Sequence, residues 1–278
     1  MRYRTILSVL AVEQFQDDLK SAIALAQSAE AHLAATVVSM AAPPPVGSYA
    51  EVVSPVWLEE RQSDLAKLGE QTDKAKEMLA ASGLSFDVQD LYTELAWADD
   101  DIARRALYAD LVVVGRQAAR DEELCRRILG GALFQAPAPV LFNPAERPAS
   151  LAPRAAVVAW DSRREAARAV QQALPLLKAA GEVHVTLVDP IASALRNGEE
   201  PGADIAAYLA RHGVAVAVDV LSSKGGTVEE TLRRHAADTG AELLVMGAYG
   251  HSRFRQRIFG GVTQSMLKEA ALPIFWAH

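Results

Sequence analysis

The chain has 278 residues, of which 50% are hydrophobic and 23% are charged. This composition is typical of a globular protein, large enough for one large domain or two small ones. The net charge of -7 argues against a protein that coats nucleic acid, because neutralising phosphates requires a basic face.

A single cysteine, Cys125, cannot form an intrachain disulfide, and we therefore expect a cytoplasmic protein. Near the start, the apolar run ILSVLAV is short and is followed by acidic residues. This pattern predicts a buried first strand instead of a secretion signal. No stretch approaches the roughly 20 apolar residues that a membrane helix needs, so we expect no membrane association.

The first half of the chain alternates short β-branched runs with longer amphipathic segments. These patterns predict five strands and three helices. The strands are expected at 3–10, 33–40, 85–92, 110–115 and 138–143, and the helices at 16–31, 58–82 and 98–109.

The second half repeats the alternation, with strands expected at 154–160, 182–189, 214–221, 242–247 and 273–277. Runs such as DLVVVG and ELLVMG are apolar throughout, as expected where helices cover both faces of a parallel sheet. The sequence therefore predicts an α/β fold made of two tandem doubly wound parallel-sheet domains, with five strands each. Thr227 and Glu230 have the spacing of a capping box at a helix start.

Internal similarity supports two copies of one unit. RRILGGALFQAPAPVLFNP in the first half aligns with QRIFGGVTQSMLKEAALPIFWAH in the second, and the segment PAERPASLAPR between the halves has the composition of a linker. We predict domains at 1–146 and 147–278. The matching apolar edge strands APVLF and LPIFW predict that the halves form an intramolecular pseudo-dimer, and a homodimer is also possible.

The stretch MGAYGHSRFRQRIFGGVTQSML follows the fourth strand of the second half. In an open parallel sheet, ligands bind beyond the carboxyl ends of the strands, where strand order reverses. Its glycines would let backbone N–H groups approach an anion, next to a helix N-terminus. An alternative is that the glycines only turn the chain and that Arg253, Arg255 and Arg257 form a solvated face.

This stretch resembles the signature of the universal stress protein family, Gly-x2-Gly-x9-Gly-Ser/Thr, through Gly247, Gly250 and Gly260. The resemblance covers the second half in strand and helix order, and the first half in layout only. It implies a tandem member with a fold like that of the adenine nucleotide alpha hydrolases, and a possible adenine nucleotide ligand such as ATP. The resemblance implies contacts from a set of nine residues: Asp161, Val188, Met246, Gly247, Gly250, Gly260, Gly261, Val262 and Thr263.

One position departs from the family pattern. Gly261 stands where the family has Ser or Thr, so the hydroxyl that would meet a phosphate or a metal is missing. Thr263 could replace that hydroxyl if the helix began late. The departure predicts weaker phosphate binding.

The first copy departs further, and we expect no nucleotide there. Ala118 replaces the second glycine, residues 121–123 form an acidic insert, and no aspartate follows the first strand at the matching place. This half is predicted to be a scaffold for the second.

The six histidines lie far apart in the sequence without metal-ligand spacing, and we expect no metal site. No catalytic motif nominates a nucleophile. We therefore expect a protein without catalytic activity that binds a nucleotide or regulates a stress response. Two alternatives are a slow ATPase or phosphotransfer enzyme and an interaction scaffold without ligand.

Overall fold

A computed structural model describes residues 3–41, 55–192, 199–248 and 261–278. The chain divides into two compact α/β units, Tyr3–Ala138 and Pro139–His278. In the described parts, no helix combines the length and the apolar character needed to cross a membrane.

The first unit has four parallel strands in the order β3-β2-β1-β4. They are β1 (Thr5–Ala11), β2 (His32–Ala41), β3 (Phe86–Glu94) and β4 (Leu111–Val114). The helices are α1 (Gln16–Ala29), α2 (Pro55–Ala80), α3 (Ala98–Ala106), α4 (Arg116–Arg120) and α5 (Glu122–Gly130), and a π-helix (Gly131–Gln135) continues α5.

The second unit has six strands in the order β5-β10-β9-β6-β7-β8. They are β5 (Val140–Phe142), β6 (Ala155–Ala159), β7 (Glu182–Val188), β8 (Val216–Leu221), β9 (Leu243–Gly247) and β10 (Ile274–Ala277). The helices are α6 (Arg164–Ala179), α7 (Ala203–Arg211), α8 (Val228–Asp238) and α9 (Gly261–Glu269). Except at β5, the strands run parallel, and the predicted doubly wound fold is confirmed.

All ten predicted strands are present, and β5 departs from the parallel order of the others. This strand is the last of the first repeat in the sequence, but it lies in the second compact unit, where it pairs antiparallel with β10. Phe142 packs against Trp276 with ring centroids 5.1 Å apart, and both side chains are buried. Burial of two matching apolar strands explains the pairing. The pseudo-dimer itself stays a prediction.

The segment between β5 and β6 is held by polar contacts. Asn143 Nδ2 donates to the carbonyl of Arg147 at 3.0 Å. Glu242, just before β9, accepts from the backbone N–H of Arg154 at 2.9 Å and from its Nε at 2.7 Å, and pairs with Arg147 at 2.9 Å. The Arg154 hydrogen bonds, with both arginine charges, lower the pKa of Glu242.

We expect Glu242→Gln to lower the melting temperature at neutral pH, because the amide loses both ion pairs. A lowered pKa means that the carboxylate stabilises the fold above the ordinary glutamate value of about 4.3, and that this stabilisation is lost at lower pH. Melting curves of both proteins at several pH values should therefore converge in acid. A difference that does not change with pH would contradict this role.

Candidate functional site

The strand order of the second unit reverses between β6 and β9. From β6 the chain adds β7 and β8 on one side, and then β9 and β10 on the other. Ala159 is in register with Met246 on β9 and with Thr186 on β7. Asp161, Val188 and Gly247 therefore lie at the same edge of the sheet, beyond or at the carboxyl ends of three neighbouring strands. We call this edge the crest.

Asp161 lies in the turn between β6 and α6. Its Oδ1 accepts from the backbone N–H of Arg163 at 3.0 Å, and Ser162 between them has a left-handed backbone with φ 60°. The Asp161 side chain is 57% exposed. The hydrogen bond fixes the turn and leaves the carboxylate accessible at the crest.

Val188, half-buried, ends β7, and Asp189 follows it with φ 45°. The Asp189 carboxylate accepts from the backbone N–H of Ser223 at 3.1 Å. Hydrogen bonds from the side chain and backbone of Ser223 lower the pKa of Asp189. The sequence analysis missed Asp189, because its partner lies on a different loop, after β8.

Met246 is buried, and Gly247 next to it packs directly against the first turn of α6. A Cβ at residue 247 would lie 2.6 Å from the backbone nitrogen of Ala166 and 2.8 Å from the Cβ of Glu165. Gly247 is therefore required for close packing of β9 on α6, whether or not a ligand binds. From the sequence alone, Gly247 was expected either to turn the chain or to contact a ligand.

Glu165 is buried at this contact. Its Oε1 accepts from Arg164 Nε at 2.6 Å. Burial opposes its charge, but hydrogen bonds from Arg164 and from its own backbone outweigh burial and lower its pKa. The first turn of α6 thus carries a carboxylate beside Gly247.

The remaining predicted residues lie at or before α9. Gly250 and Gly260, with Arg253, Arg255 and Arg257, lie outside the described residues. Helix α9 begins at Gly261 and continues through Val262 to Thr263, which is 3% exposed. Because the helix does not begin late and Thr263 is buried, the condition under which Thr263 would replace the missing hydroxyl is not met.

In the first unit, an aspartate side chain of the same unit occupies the corresponding edge of the sheet. Asp18, buried in the first turn of α1, accepts from the backbone N–H groups of Gln117 at 2.9 Å and Ala118 at 2.8 Å. A Cβ at Gly115 would overlap the Asp18 carboxylate. An internal carboxylate therefore binds the N–H groups that follow β4.

The paired glycines of the first unit have a packing role. A Cβ at Gly130 would lie 2.8 Å from the Asp99 carboxylate, and one at Gly131 would overlap the Asp99 backbone carbonyl. These glycines let α5 and the π-helix approach the start of α3. Asp121, in the acidic insert, caps α5 by accepting from the N–H groups of Glu123 and Leu124.

Two of the histidines, which are far apart in the sequence, lie close together in the structure. His184 and His235 lie in the second unit with ring centroids 5.8 Å apart, and Asp219 lies between them. The strands and helix that carry them are distant in sequence, so spacing could not reveal the group.

These observations define the second unit as a doubly wound α/β domain with polar groups gathered at its switch point. Residues 154–276 match the model of the universal stress protein family. The resemblance noted in the sequence is thereby confirmed for the second half.

Known relatives agree with this assignment. The universal stress protein Slr1230 of Synechocystis sp. is 39% identical over 49 residues, which cover 18% of this chain and 17% of that protein. A universal stress protein structure from Archaeoglobus fulgidus covers 98% of this chain and 95% of its own, with a TM-score of 0.65 and 16% identity. A putative universal stress protein from Pseudomonas aeruginosa UCBPP-PA14 covers 99% and 93%, with a TM-score of 0.62 and 16% identity. The structural likeness establishes the fold.

We expect Gly247→Ala to destabilise the protein by about 1–3 kcal/mol, the usual cost of forcing atoms into a packed contact. The matched control is Gly69→Ala in α2, where a Cβ meets nothing within 4 Å. The control should stabilise the protein by about 0.5–1 kcal/mol, because alanine favours helix interiors. Denaturant unfolding measures both, and a Gly247→Ala variant as stable as the parent would refute the packing role.

The pH dependence of stability that we expect from Asp18 has the opposite sign from that of Glu242. Burial raises its pKa, although the hydrogen bonds from Gln117 and Ala118 oppose the shift. The folded state therefore binds this proton more tightly than the unfolded chain, and protonation favours folding. As pH rises above the ordinary aspartate value of about 3.9, the parent should lose stability relative to Asp18→Asn. The urea midpoints of the parent and of Asp18→Asn should be measured from acid to neutral pH. A difference between the two midpoints that stays constant over this range would contradict the prediction.

Proposed function

We propose that the second unit binds an adenine nucleotide at the crest, and that the protein is a cytoplasmic, non-catalytic regulator of the universal stress type. The observation that supports the proposal most directly is the register that aligns Asp161, Val188 and Gly247 at the switch point. In doubly wound folds this is the position of the ligand.

Each crest residue has a distinct role in the proposal. The exposed Asp161 carboxylate would accept hydrogen bonds from the ribose or the base, and the backbone at Val188 would meet the adenine. The N-terminus of α9 at Gly261 and Val262 would face the phosphates, because a helix N-terminus favours an anion.

The contrast between the two units supports binding in the second unit only. In the first unit, Asp18 already occupies the N–H groups after the fourth strand. A phosphate there would have to displace a buried carboxylate that carries the same sign of charge.

Two features favour binding over catalysis. Gly261 supplies no hydroxyl for a phosphate or a metal, and the lowered pKa of Asp189 makes that carboxylate a weak general base at neutral pH. The exposed Asp161 is already tied to the Arg163 backbone. We therefore assign these groups to positioning a ligand.

The test is calorimetric titration of the full chain with ATP and with AMP, each with and without Mg²⁺. We expect Asp161→Ala to weaken binding by about 10- to 100-fold, because hydrogen bonds to charged groups contribute about 1.5–3 kcal/mol. Asp17→Ala is the matched control: Asp17 is an exposed aspartate in the first turn of α1 in the first unit, and its removal should leave binding unchanged.

The same titration on Gly261→Ser tests the contact between the start of α9 and the phosphates. The added hydroxyl should strengthen ATP binding by about 2- to 10-fold, the gain from one hydrogen bond, and should affect AMP less. No binding heat in either the parent or Gly261→Ser would overturn the proposal. Release of ADP during the titration would instead favour the slow ATPase.

A further inference from the structure

The histidine group of the second unit is built on three elements. His184 lies on β7 and Asp219 on the adjacent β8, where the register pairs His184 with Ala217 and Thr186 with Asp219. His184 and Asp219 therefore point to the same face of the sheet. Helix α8 packs on β7 at this face and supplies His235.

The ligand atoms converge on one carboxylate oxygen. His184 Nδ1 lies 2.8 Å from Asp219 Oδ2, and His235 Nε2 lies 2.9 Å from the same oxygen. The three donor atoms all lie within 4.8 Å of one another. Such a set can bind a cation between its members or share protons among them.

Two imidazoles and a carboxylate are ligands that Zn²⁺ prefers, at about 2.0–2.2 Å from the metal. Tetrahedral geometry at these lengths places neighbouring ligand atoms about 3.3 Å apart. The observed separations of 2.8 and 2.9 Å are within about half an ångström of this value. Small side-chain rotations would therefore open the group around an ion.

A fourth residue supports the orientation of His184. Glu182 Oε1 lies 3.5 Å from His184 Nε2, the ring nitrogen that does not face Asp219. Metal-binding histidines commonly direct their second ring nitrogen to a carboxylate, which sets the tautomer and raises the basicity of the ligand atom.

The three side chains of the histidine group are largely buried, but they are not fully shielded from solvent. The side chains of His184 and His235 are 13% and 14% exposed, and that of Asp219 is 27% exposed. Helix α8 is held at its start by the predicted capping box between Thr227 and Glu230, which is confirmed. The enclosure limits ligand motion, and the exposure of Asp219 leaves a path for an ion and for a water as fourth ligand.

We propose that His184, Asp219 and His235 form a zinc-binding site. It is separate from the crest: His184 precedes Val188 on β7 by a strand length of about 13 Å. The site joins β7, β8 and α8, so bound zinc would stabilise the second unit against unfolding. The proposal is independent of nucleotide binding.

The first test is calorimetric titration of the full chain with Zn²⁺ alone, after removal of any affinity tag and of metal with a chelator. We expect one bound zinc per chain. His184→Asn and His235→Gln each place an amide nitrogen where the ligating ring nitrogen was, which preserves a hydrogen bond to Asp219 but removes the metal ligand. Each should lower zinc affinity at least about 100-fold, and Glu182→Gln about 10-fold.

The matched control is His32→Asn in the first unit. His32 Nε2 also lies 2.7 Å from an aspartate oxygen, that of Asp87, and its Nδ1 lies 2.8 Å from Ser85 Oγ. Asparagine can keep the Ser85 hydrogen bond. Zinc affinity of this variant should equal that of the parent.

A second pair of measurements keeps the proposal falsifiable if a variant is unstable. Zinc should raise the melting temperature of the parent and of His32→Asn, but not of His184→Asn or His235→Gln. Co²⁺ in place of zinc should give the visible absorption of tetrahedral coordination in the parent. Absence of stoichiometric zinc binding in the parent, or zinc affinities of His184→Asn and His235→Gln equal to that of the parent, would show that the three side chains only share hydrogen bonds.

Discussion

Both units depend on a contact between the end of a central strand and a helix. The strand and helix are β4 and α1 in the first unit, and β9 and α6 in the second. In the first unit Gly115 lies against Asp18, and in the second Gly247 lies against Glu165 and Ala166. A side chain at either glycine would separate the strand from the helix and shift the carboxyl end of the sheet. Since ligand sites of doubly wound folds are built at this end, the contact positions the crest as well as the core.

The two units use the acidic residue at this contact differently. Asp18 turns towards the N–H groups of Gln117 and Ala118, and its buried carboxylate serves the first unit as an internal anion. Glu165 pairs instead with Arg164 on its own helix. The same fold therefore closes one crest with its own carboxylate and presents Asp161 at the other. The strand order around the switch point is the same in the two units, β2-β1-β4 in the first and β7-β6-β9 in the second.

Much of the candidate site could be predicted from sequence, because its members follow strands that are recognisable as apolar runs. Asp161, Val188, Met246 and Gly247 all lie at or just beyond the strand ends that the sequence predicted. Other features could not be predicted. The contact of Asp18 with Ala118 joins residues about a hundred positions apart, and the histidine group depends on strand register and on the face that α8 covers.

By itself, the sequence determined the number, order and approximate bounds of the strands, because apolar periodicity reports local burial. It also determined the repeat and the helix cap at Thr227. Only the tertiary structure decided that Gly130 and Gly131 serve helix packing, and that His184 and His235 share Asp219. These outcomes depend on which surfaces meet across long separations in the chain, and local patterns carry no information about that choice.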